Sequence, residues 1–161
     1  YLGRLGVDGS KQIDQADEKL TGSEENIPKS FYEFIDEMVN KKIEGNLRAR
    51  GSELYLMPHG YETAGRIKTV KTGLYLGSEE HQKFMPSQSL IMSLRWNEIK
   101  KSKSLFLDDP LLPKYLKGET LPLEGEKGYI GIGVDNYPLG WGKFEEDRLK
   151  NLYPKGWRKT R

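Results

Sequence analysis

The chain has 161 residues, room for one ordinary domain or two very small ones. Charged residues make up 31% and hydrophobic residues 35%, a globular balance, and no run approaches the ~18 apolar residues of a membrane span, so no membrane partner is expected. Cysteine is absent, which excludes disulfides, a thiolate metal site and a cysteine nucleophile.

No stretch has the layout of a signal peptide and the first residue is Tyr, so the chain reads as a piece of a longer protein with a cytoplasmic address. The net charge of +2 is unevenly spread: residues 1–30 carry four basic and six acidic groups, residues 101–161 twelve and nine. A phosphate responds to local clustering, and the cationic end is the C-terminal one.

Tyr1 to Leu5 fits the end of a strand from a preceding domain. Gly6 to Lys29 is polar without a period and predicts a flexible linker. Order is expected from Ser30, where Ser30-Phe31-Tyr32-Glu33 has the form of a capping box. Phe31, Phe34, Ile35 and Met38 follow on one helical face, a core stripe that Asn40 to Lys42 ends. Glu53 to Met57 reads as a strand stopped by Pro58-His59-Gly60. A second strand pair is expected over Arg66 to Leu76, broken at Thr72-Gly73. A helix is expected from Pro86 to Leu94, with the proline in its first turn. Asp109-Pro110 starts a short helix that stops at Gly118.

The remainder is β. Tyr129 to Val134 alternates Ile130, Ile132 and Val134 with Gly131 and Gly133. Asp135-Asn136 suits a two-residue turn, because both tolerate left-handed φ. That turn would set Val134 opposite Tyr137, Ile132 opposite Leu139 and Ile130 opposite Trp141, placing Trp141 in the core. Gly131, Gly133, Gly140 and Gly142 would then leave the other face bare, for tight packing of a small barrel or for another backbone. Gly128-Xaa-Xaa-Gly131-Xaa-Gly133 lacks the spacing and the following helix of a dinucleotide loop. His59 and His81 have no partner at ligand or triad spacing, and Glu79-Glu80 and Glu145-Glu146-Asp147 read as solvated turns.

From Arg148 onward there are six basic residues, no acidic one, and two aromatics, Tyr153 and Trp157. Cations neutralise phosphates and aromatics stack on bases, which suits RNA; a solvated tail has the same composition. The order of residues separates the two. Pro138-Leu139-Gly140-Trp141-Gly142-Lys143, followed by Leu149-Lys150-Asn151-Xaa-Tyr153-Pro154-Lys155-Gly156-Xaa-Arg158, resembles the closing motif of RNA 5-methylcytosine methyltransferases of the RsmF (Sun-related) type. That family usually has Leu where Trp157 stands, and Asp-Gly where Asp135-Asn136 stand. Leu54 to Pro58, Thr72 to Gly77, Phe84-Xaa-Pro86-Ser87-Xaa-Xaa-Leu90 and Tyr115 to Leu121 are similar to it as well.

The resemblance implies an α+β chain: a linker over 1–29 from a catalytic domain, a small mixed α+β domain over 30–97, and a PUA-like β-barrel over 98–161. It implies an RNA-binding module that positions ribosomal RNA for cytosine-5 methylation. Catalysis would lie in the preceding methyltransferase domain, with S-adenosylmethionine as that domain's cofactor and none in this chain. Lys143, Lys150, Asn151, Tyr153, Lys155 and Arg158 carry over as RNA-contacting positions, and Arg148 joins them on charge alone. Lysine and arginine would hold phosphates and Asn151 a base edge or ribose hydroxyl, while Tyr153 either stacks or packs. Arg66, Lys68 and Lys71 form the next basic candidate. The other reading is a protein-interaction module that docks the catalytic domain or a ribosomal protein.

Overall fold

Phe31, Phe34 and Met38 recur at helical spacing, and in the computed structural model, which describes residues 26–58 and 73–159, all three are buried on one face of helix α1 (Lys29–Met38). The expected capping box does not form. Pro28 precedes the helix, Ser30 lies inside it, and the Ser30 hydroxyl donates to the Glu79 carboxylate instead. Glu33 pairs with Lys29 at 3.1 Å on the exposed face. Packing begins earlier than Ser30, since Ile27 already rests on the core. The linker expected over 1–29 falls mostly outside the described residues, as do the strand segment Arg66 to Thr72, the basic candidates Arg66, Lys68 and Lys71, and His59.

Four antiparallel strands follow in the order β1 (Asn46–Arg50), β2 (Glu53–Met57), β3 (Leu74–Glu80) and β4 (Lys83–Pro86). Alternation turns Leu47, Ala49, Leu54, Leu56 and Leu76 toward α1 and a second helix, α2 (Gln88–Met92). Pro86 ends β4 rather than opening α2. Ser87 caps that helix, its hydroxyl oxygen accepting from the Leu90 N–H at 3.0 Å.

The second sheet has the order β5 (Ser102–Leu105), β6 (Gly128–Val134), β7 (Tyr137–Glu145) and β8 (Arg148–Asn151), with β5 parallel to β6 and the rest antiparallel. Among the described residues the ladders leave both sheets open, and no pairing closes the expected barrel. Helix α3 (Leu111–Lys117) crosses between β5 and β6. The Asp109 carboxylate accepts from the Leu111 N–H at 2.8 Å, and Gly118 ends the helix at φ 82°. The Arg158 side chain lies where a Cβ at Gly118 would stand, so both the backbone angle and the space require glycine.

The β6–β7 turn forms as expected, with Asp135 and Asn136 at φ 45° and 66° and Val134 opposite Tyr137. Beyond it the register departs. Gly133 pairs with Pro138 and Ile132 with Gly140, so Leu139 is an extra residue on β7. The one-residue slip sends Trp141 to the opposite face, across from Gly131 rather than Ile130. Trp141 is buried as expected, but in the first core, edge-on to Phe34 at 5.5 Å, with its indole N–H donating to the Ser87 carbonyl at 2.9 Å. The face carrying Gly131 and Gly133 is covered by Ile99 and Trp96. The second core, with Leu105, Tyr115, Ile132, Phe144 and Leu149, lies on the other side of this sheet.

Candidate nucleic-acid interface

The slip at Leu139 also decides which side chains share the end of the β7–β8 hairpin. Tyr129 pairs with Lys143 and Lys143 with Lys150, so the three stand in one row across β6, β7 and β8. They lie on the Trp141 side of the sheet, because side chains two apart on β7 share a face. Lys143 Nζ sits 5.3 Å from the centre of the Tyr129 ring, within cation–π range. Burial, then Glu145 and Glu80, raises the Tyr129 hydroxyl pKa above its ordinary value. Glu145 Oε1 lies 3.7 Å from Lys143 Nζ and 3.8 Å from Lys150 Nζ, holding the two ammonium groups around one carboxylate. Arg148, opposite Glu145 and exposed, extends the row. An incoming phosphate would compete with Glu145 for these cations.

The remaining sequence candidates divide. Lys155 is exposed in the final turn, Lys155–Trp157. Trp157 is 56% exposed and edge-on to Tyr153 at 6.2 Å. Tyr153 is half-buried against the second core, its ring 5.4 Å from that of Tyr115. Asn151 is buried, and its amide donates to the carbonyls of Tyr115 and Glu119, both at 2.9 Å. Its oxygen accepts from the Tyr153 N–H at 2.8 Å, leaving little for a base edge. The Arg158 guanidinium donates twice to the Tyr153 carbonyl, at 3.2 and 3.1 Å. Asn151 and Arg158 therefore fasten the C-terminal segment to α3, in contrast to the contact role expected of them. Tyr129 was missed by sequence reading, because an unbulged hairpin sets it against Gly142. The signal was Pro138, which cannot donate to a ladder and marks a place where pairing is interrupted.

Two family models match, in chain order. Residues 33–94 match the first C-terminal domain of the RsmF rRNA methyltransferase, and residues 102–159 match the PUA domain of methyltransferase RsmF. The chain is the C-terminal region of an RsmF-type methyltransferase. The RsmF resemblance of the Pro138–Lys143 and Leu149–Arg158 blocks thus extends to both sheets. The Trp141 of that motif is the residue that joins them.

S-adenosylmethionine, the methyl donor that RsmF-type chemistry implies, does not fit the described residues. The cleft between α2 and the first sheet is lined by Leu56, Leu74, Leu76 and Leu90 with Lys41 and Glu44 at its rim, and no aromatic ring is among its lining residues to stack on an adenine.

Proposed function

We propose that this chain is the non-catalytic, RNA-binding part of an rRNA cytosine-5 methyltransferase, and that it positions ribosomal RNA for a methyltransferase domain elsewhere in the parent protein. The observation that carries the reading is the row Tyr129–Lys143–Lys150 with Arg148 beside it, on a chain whose second half matches a PUA domain. Lys143, Arg148, Lys150 and Lys155 form the proposed RNA-facing set, with Tyr129 beneath Lys143. S-adenosylmethionine would supply the methyl group in the parent enzyme. Attack on a pyrimidine ring by a thiolate needs a cysteine, and this chain has none, so purified chain should transfer no labelled methyl to RNA.

The test is filter binding of ribosomal RNA at several salt concentrations. Each phosphate deprived of its cation lowers the log–log salt slope by about 0.9 on a duplex or about 0.7 on a single strand. Lys150→Ala with Lys155→Ala should weaken binding and flatten the slope together, with an unchanged melting temperature. Unchanged affinity in a folded double variant would remove the site from this hairpin.

One observation favours protein docking as a second reading. Phe106, Leu107 and Tyr137 are 69%, 73% and 74% exposed, and the Asp135 N–H donating to the Leu105 carbonyl at 3.0 Å brings their loops together. Salt-insensitive binding to the catalytic domain, abolished by Phe106→Ser, would support it.

A further inference from the structure

The first sheet has a face that neither core uses. Leu47 and Ala49 of β1 pack on the first core, so Asn46, Arg48 and Arg50 stand on the opposite side. Pairing aligns Arg48 with Tyr55 and Tyr55 with Tyr75, a row across β1, β2 and β3. The two tyrosine rings are 5.2 Å apart and inclined at 44°, and neither belongs to either core. The Tyr55 hydroxyl donates to Glu53 at 2.9 Å at the exposed surface. Helices α1 and α2 pack on the other side of the sheet.

We propose that this face is a second nucleic-acid site and that it takes single-stranded RNA. Bases would stack on Tyr55 and Tyr75, and phosphates would pass Arg48 and Arg50 along the edge strand β1. Adjacent aromatics on neighbouring strands form a platform that accepts any unpaired base, whereas a duplex keeps its base faces within its own stack. The charge favours a polyanion: Arg48 and Arg50 stand beside one carboxylate, Glu53, already engaged by Tyr55. The inference rests on the RNA-binding reading above, and it concerns a different sheet and a different form of RNA.

The experiment titrates the full chain with a labelled single-stranded oligonucleotide and with the duplex of the same sequence, across salt concentrations. Three proteins are compared: wild type, Tyr55→Leu with Tyr75→Leu, and Lys150→Ala with Lys155→Ala. Loss of stacking should weaken single-strand binding at least tenfold, with the salt slope and duplex affinity unchanged. The lysine variant should instead lower the slope. Ultraviolet crosslinking of wild type to the single strand should label the peptides carrying Tyr55 or Tyr75. If the tyrosine variant does not fold, exposed Arg50→Gln takes its place and should lower the single-strand slope by about 0.7. Unchanged single-strand affinity in a folded tyrosine variant, an unchanged slope in Arg50→Gln, or crosslinks confined to residues 137–159 would overturn the proposal. A loss confined to the tyrosine variant would sustain this site and overturn the C-terminal one; wild type that binds no RNA overturns both.

Discussion

Replacing Asn151 by Ala would leave the carbonyls of Tyr115 and Glu119 and the N–H of Tyr153 without their partners inside the fold. Unpaired buried groups cost about 1–3 kcal/mol, so Asn151→Ala should lower stability in urea by about that amount. RNA affinity, corrected for the folded fraction, should stay at the wild-type value; a specific loss of affinity without destabilisation would restore Asn151 to the RNA-facing set. Residue type alone made Asn151 look like its lysine neighbours. An amide suits a ribose and a backbone carbonyl equally well, and only the approach of the end of α3 decides between them. Lys150 and Arg148 were legible because long cations beside an exposed strand edge have few internal uses. Arg158 was not, since the Tyr153 carbonyl that it grips is created by the turn of its own segment.

At the scale of elements, strong local signals survived and weak ones did not. The Asp135-Asn136 turn, the α1 stripe, β2 and the Asp109–Gly118 helix could be read because each has its own turn chemistry or period. Strand β1, Asn-Leu-Arg-Ala-Arg, has no β-branched residue, and β5, Ser-Lys-Ser-Leu, is mostly polar. Both exist because a neighbouring strand offers a ladder, a cause that lies outside their own sequence. The slip at Leu139 has the same origin, and the close packing of β6 depends on it. Trp96 and the Tyr137 carbonyl occupy the space where a Cβ at Gly133 would go. Gly133→Ala should therefore cost about 1–3 kcal/mol by overpacking, while Gly156→Ala, with nothing within 4 Å, should melt close to wild type. Equal melting temperatures for the two variants would contradict the observed register.

For the whole molecule, the decisive feature is that the first core is completed from the second sheet. Trp141 and Ile99 join Phe31, Phe34, Leu54 and Leu76 in one cluster, and α1 is laced to the connecting segment. The Lys100 N–H donates to the Met38 carbonyl at 2.8 Å, and Lys101 pairs with Glu37 at 2.6 Å. Trp141→Ala should destabilise by about 3–5 kcal/mol, the range for a buried aromatic. Signals from the two sheets should fall in one shared transition, whereas two separate transitions in wild type would show independent cores. This sharing was not legible in the sequence, because an alternating hairpin carries no mark of which neighbour each of its faces will meet.

The join at Trp141 has a consequence for biosynthesis. A ribosome delivers the chain from its N-terminus, and segments fold as they emerge. By Leu94 all four strands and both helices of the first sheet have been made, yet the indole that packs on Phe34 has not. Until it arrives, the Phe34 ring lacks its Trp141 neighbour on the nascent chain, a surface of the kind that chaperones hold. A nascent chain stalled after residue 97 should remain sensitive to protease, and one stalled with Trp141 clear of the tunnel should become resistant in a single step. Resistance already at the earlier stall would mean that the first sheet closes without the tryptophan.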